Sequence, residues 1–139
     1  FQHNAPRKPQ HQPYPHVKPA YEATKQYAEG NDTPAPLSKE EKTYVQEVIG
    51  TFLYYGRCVD ASMLPALGTL ATQQANPTIN TMKKIKQFLD YAAAQEDAVV
   101  TYRTNDMVLA IHSNASYLSE PNAQSCMGGH FSLSENDAT

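Results

Sequence analysis

The sequence predicts an α+β fold: an extended Pro-rich N-terminal arm over residues 1–37, about three helices within 38–97, and a small antiparallel sheet within 98–139. Three observations carry this. Seven of the ten prolines fall in residues 1–36, a stretch almost without aliphatic side chains. Apolar residues then recur at a helical period from Ser38 to about residue 95. Beyond Glu96-Asp97 the pattern turns rich in β-branched and aromatic residues, with turn-forming residues between the runs.

In the arm, each X-Pro pair biases its first residue toward extended backbone, so neither helix nor ladder is expected there. Tyr14, Tyr21 and Tyr27 are its candidate anchors for a partner; the alternative is a linker with incidental tyrosines. His3, His11 and His16 stand on a flexible proline-rich chain that preorganises no metal site. Residues 1–28 carry four basic groups against one acidic, a net of +3, whereas residues 29–139 carry seven basic against thirteen acidic, a net of −6. An acidic body offers no broad electrostatic grip on nucleic acid.

The 139 residues suffice for one modest core, and a mean hydropathy of −0.58 implies a sizeable polar part outside it. Cys58 and Cys126 have no CxxC spacing and no companion histidine pattern. Reduced, buried thiols are therefore expected, with neither a zinc site nor a disulfide framework. No run approaches the length of a membrane span and no charged-then-apolar leader is present, so an intracellular protein is expected. Opening on Phe1, the chain reads as a processed product or a fragment.

Ser38 opens the first helix through a capping box, its hydroxyl accepting from the Glu41 amide while the Glu41 carboxylate reaches back. Tyr44, Val45, Val48, Ile49, Phe52 and Leu53 follow as one apolar stripe, ending near Gly56 or Arg57. Asp60 or Ser62 caps a second helix carrying Met63, Leu64, Leu67, Leu70 and Ala71, with Pro65 tolerable only in its first turn. Thr78 caps a third, which directs Ile79, Met82, Ile85, Leu89 and Ala92 to the core. Lys83, Lys84 and Lys86 lie on its outside, the only basic cluster of the body and the candidate nucleic-acid contacts. Their alternative role is to keep a solvated face soluble. Tyr54 and Tyr55 are expected at the core edge rather than as stacking platforms. Three β segments follow, at 98–103, 106–113 and 128–135, with turns expected at Asn105-Asp106, at Ser119-Glu120-Pro121-Asn122 and at Gly128-Gly129.

Read in order, "VIGTFLYYGRCVDASMLPALGTLATQQ", "PTINTMKKIKQFLDY" and "VLAIHSNASYLSEPNAQSCMGGHFSLSE" resemble the part of copia-type retrotransposon polyproteins that joins the reverse transcriptase to its ribonuclease H domain. The resemblance covers roughly residues 44–135. It implies that the helices are the connection following the polymerase and that the sheet resembles the opening strands of a ribonuclease H-like fold. It also implies an RNA–DNA hybrid as partner and Mg2+ as cofactor, held by four carboxylates in a two-metal hydrolysis.

Asn114 stands where that family places the first of those aspartates. An amide keeps the size but loses the anionic oxygen that a hard cation needs. The family's other carboxylates belong to later strands and helices, past Thr139, and neither Glu120 nor Glu135 takes their place. The Tyr-x-Asp-Asp motif of the polymerase palm is missing, and Cys126 stands near where the family carries an arginine before its glycines. The expectation is a retroelement-derived fragment, catalytically silent alone and with no cofactor. The alternative is a non-catalytic structural or accessory subunit whose arm, residues 1–36, and open sheet edge bind a larger assembly.

Overall fold

In the computed structural model, which describes residues 2–16, 35–95, 97–120 and 124–135, helices and strands are both present, as an α+β chain requires. Helix α1 spans Lys39–Cys58, a 3-10 turn spans Ala61–Met63, α2 spans Leu64–Gln73 and α3 spans Ile79–Ala93. Strands β1, Val108–Glu120, and β2, Gln124–Ser134, pair antiparallel. Tyr21 and Tyr27 lie outside the described residues. Residues 2–16 and the helices belong to one unit that ends at Val100, and the strands to a second that begins at Thr101.

Each helix starts where its cap dictates. Ser38 Oγ accepts from the Glu41 amide at 3.2 Å, and the Ser38 amide donates to the Glu41 carboxylate at 2.8 Å. Thr78 and Thr81 repeat the reciprocal arrangement at α3. Asp60 caps the 3-10 turn, and Pro65 sits in the first turn of α2, where its missing N–H has no intrahelical acceptor to lose. Replacing Ser38 with Ala is expected to lower stability by about 1 kcal/mol, measured as a fall in the urea midpoint without a change of slope.

The stripes of the three helices meet in one core: Val45, Val48 and Ile49 from α1, Met63 with Ala66, Leu67 and Leu70 around α2, and Ile85, Phe88, Leu89 and Tyr91 from α3. Phe52 packs edge-on against Phe88 with ring centres 5.1 Å apart. Gly56 is buried because a Cβ there would approach Leu64 Cδ2 to 3.1 Å. Tyr55 lies at the core edge, but Tyr54 is 76 % exposed, and Ile79 at the helix start faces outward rather than into the core. Both cysteines are free and exposed, not buried. Ahead of α1, Leu37 donates to the Pro77 carbonyl and Ile79 donates to that of Ala35, so the entries to α1 and α3 are tied side by side.

The sheet differs from expectation in three ways. Residues 98–103 form no strand: β-rich composition suits a pleated, half-buried surface but creates no ladder without a partner edge, and Val99 and Tyr102 are exposed. Gly128-Gly129 is not a turn. Both glycines have ordinary φ and pair within β2, opposite Asn114 and Ser113, and the Phe131 ring lies 3.4 Å from where a Gly129 Cβ would stand. Finally, β1 does not end at Ser113 but runs on through Asn114 to Glu120, and β2 begins at Gln124; Pro121 and Asn122 of the expected turn lie outside the described residues. The turn signal at Asn105 does act: its side-chain carbonyl accepts from the Met107 amide at 2.8 Å, and Met107 takes φ +59° just before β1.

Candidate functional site

Two surfaces hold the residues that the sequence singles out. The first is the outer face of α3. Residues 2–16, without helix or strand, cross it with His3 toward its C-terminal end and Tyr14 toward its start. His3 Nε2 meets Asp90 Oδ1 at 2.7 Å, and Gln87 Nε2 donates to the Gln12 carbonyl at 3.1 Å. The Lys84 ammonium lies 5.0 Å from the centre of the Tyr14 ring, a cation–π distance. Gln73 at the end of α2 ties this together: its amide donates to Tyr14 Oη at 3.3 Å while its carbonyl accepts from Thr81 Oγ1 at 3.3 Å.

This arrangement decides what the lysines can do. Lys84 is committed to Tyr14 and Gln73, and Lys86 pairs with Asp90 one turn on at 3.2 Å, leaving exposed Lys83 outside these contacts. Exposed i,i+4 pairs contribute only about 0.3–0.5 kcal/mol, so Lys86 is easily withdrawn, but Lys84 is half-buried beneath the aromatic ring. Tyr14, a candidate anchor for a partner, is packed on the chain's own helices. Beside it, His3 with Phe52, Tyr55, Leu89 and Ala92 lines a cavity of 220 Å³. That is below the roughly 300–1,000 Å³ of ordinary small-molecule sites.

The second surface is the hairpin. Successive residues of a strand alternate between its faces, so the register assigns Ala110, His112, Asn114 and Ser116 to one face, with Ser132, His130, Gly128 and Cys126 opposite them. Leu109, Ile111, Ser113 and Ala115 take the other, with Leu133, Phe131, Gly129 and Met127 opposite them. That second face is apolar and bare: Ile111 is 56 % exposed, Phe131 67 % and Met127 83 %.

Asn114 therefore sits in mid-strand on the polar face, exposed and opposite a glycine. The Mg2+ that the copia-type resemblance implies does not fit its surroundings. Imidazoles, a thiol and hydroxyls share that face with Asn114, with no carboxylate from Val108 to Ser116 or from Cys126 to Ser134, whereas Mg2+ selects carboxylate oxygens in near-octahedral array. Nor do three or more His, Cys, Asp or Glu side chains converge on a point anywhere among the described residues. Likewise, among these residues no helix is long and apolar enough to cross a membrane.

No protein-family model, curated protein or solved structure matches the chain. The copia-type resemblance accordingly rests on the motifs quoted from the sequence.

Proposed function

We propose that the chain is a catalytically silent, retroelement-derived segment, a reverse transcriptase connection followed by the opening hairpin of a ribonuclease H-like sheet, and that its role is structural. The observation that carries this reading is the two-sided hairpin. Its polar face presents an amide, Asn114, where the resembling family has a metal-binding aspartate, and its apolar face is laid out for further polypeptide to cover. A long ribbon with one apolar face is a component of a larger layered structure, because burying that face is what makes a two-stranded ribbon stable.

The test is magnesium-dependent cleavage of a labelled RNA–DNA hybrid by the purified chain and by Asn114→Asp, with hybrid binding measured alongside. No cleavage is expected from either. One carboxylate cannot hold the two metal ions that activate water and stabilise the leaving oxygen. Cleavage by the native chain would overturn the reading.

A second reading, an accessory subunit of a larger assembly, is favoured by the same bare face and by the outer edge of each strand, unpaired among the described residues. In this reading the hairpin is the contact surface. The described part of the arm is already occupied, since Tyr14 and His3 are held by α2 and α3.

A further inference from the structure

We propose that His112 and His130 form a binding site for a borderline divalent transition-metal ion of the Zn2+, Ni2+ or Cu2+ class on the polar face of the hairpin. The two histidines are direct partners in the antiparallel register, so their side chains leave the same face. Cβ atoms of such a pair are about 4.5–5.5 Å apart. Imidazole nitrogens bind these metals at about 2.0–2.1 Å, and side-chain rotation alone brings two rings at that Cβ separation onto one ion.

Nothing has to be broken for this to happen. Both imidazoles are exposed and neither has a hydrogen-bond partner among the described residues, in contrast to His3, whose ring nitrogen is held by Asp90. The neighbours along the same face are small: Ala110 and Ser132 on one side, Asn114 and Gly128 on the other. A Cβ at Gly128 would meet nothing within 4 Å, so there is open space for the water ligands that a two-histidine site requires. The charge is favourable as well, since residues 101–139 carry Arg103 against Asp106, Glu120, Glu135 and Asp137, a net of −3.

The ligand type sets the metal. Neutral imidazole suits Zn2+, Cu2+ and Ni2+, whereas Mg2+ takes oxygen, so the site is distinct from the carboxylate cluster of a hybrid nuclease. With two protein ligands it is open and weaker than a closed four-ligand structural centre. Its consequence is mechanical: the ligands come from opposite strands, so the ion is bound only while the strands are paired. By mass action it then stabilises the hairpin.

The experiment is calorimetric titration of Ni2+ into the full chain carrying Cys58→Ser and Cys126→Ser, which removes the two exposed thiols as competing ligands. Amide hydrogen exchange is followed with and without the metal. One equivalent is expected to bind. His112→Asn and His130→Asn should each weaken binding at least tenfold, and the double variant should do little more, because one remaining imidazole does not make the site. Replacing His3, His11 and His16 with Gln should leave this binding in place. At free Ni2+ ten times the dissociation constant, exchange in both strands should slow about elevenfold, the factor one plus the ligand ratio. The proposal is overturned by absence of binding at millimolar Ni2+, by binding that survives the strand-histidine variants, by binding lost with the arm histidines, or by binding that leaves strand exchange unchanged.

Discussion

Phe88→Ala is expected to destabilise the helical unit by about 3–5 kcal/mol, the largest effect of any single truncation considered for this chain. Phe88 is fully buried and is among the largest side chains in the core. Its ring meets Phe52 edge-on at an interplanar angle of 87°, and removing it forfeits that contact as well as the transfer free energy of the ring. The core that holds it draws on all three helices, α1 through Val45, Val48 and Ile49, α2 through Ala66, Leu67 and Leu70, and α3 itself, so a void there is shared among elements rather than closed by shifting one. Whole domains retain only about 5–15 kcal/mol, and a three-helix core of this size lies toward the lower end. The variant should therefore populate unfolded molecules at room temperature. Far-ultraviolet circular dichroism during urea titration checks this: the helical transition should move to a much lower midpoint. A shift smaller than about 1 kcal/mol would mean that the three helices do not share this core.

The helices were legible in the sequence because two independent signals agreed at each. Ser38 with Glu41, and Thr78 ahead of an apolar run, mark starts by a specific hydrogen-bonding need, and four-residue spacing marks the buried stripe. Phe88 and Tyr91, both buried, fall outside the stripe expected for α3, namely Ile79, Met82, Ile85, Leu89 and Ala92. The apolar face is wider than that line, and the buried Tyr91 meets its polar need through Ser62 at 2.8 Å. Ile79 erred in the other direction: at the first position of a helix the side chain precedes the packed turns. The docking of residues 2–16 on α3 was not legible at all. It depends on Gln12, Gln73, Gln87 and Asp90, polar residues whose pairing has no periodic signature.

In the sheet, one misread turn concealed the candidate site. With Gly128-Gly129 taken as a reversal, His112 and His130 fall on separate segments with no fixed relation. The observed register places His112 opposite His130 and Asn114 opposite Gly128. Glycine is tolerated within a strand where an aromatic ring lies over it, as Phe131 does at Gly129. The same register gathers six apolar side chains on one face and both histidines on the other, a division that three short strands would have obscured.

That division leads to the second large effect. Replacing the cross-strand pair Ile111 and Phe131 by Lys and Glu (Ile111→Lys with Phe131→Glu) is expected to weaken self-association of the chain at least tenfold while leaving the helical core intact. The magnitude follows from area. Nine consecutive pairs span about 30 Å, and two strands about 10 Å, so the apolar face covers roughly 300 Å² and two copies laid face to face bury roughly 600 Å². At about 25 cal/mol per Å² this is a gross gain of roughly 15 kcal/mol, set against an association cost of about 4–15 kcal/mol. The surplus, between about 0 and 11 kcal/mol, is not itself an affinity, because ordering and desolvation at the interface reduce it further, and weak association is the expectation for a face of this size. An area below the roughly 1,200 Å² of stable interfaces also implies that a larger partner surface would cover the face better than a second copy does. The double replacement puts opposite charges directly across the strands, where they attract, so the hairpin keeps its pairing and loses only its apolar face. Sedimentation velocity over a concentration series reads the result. A native chain that stays monomeric at hundreds of micromolar, or a variant that associates as the native chain does, would show that this face does not drive assembly.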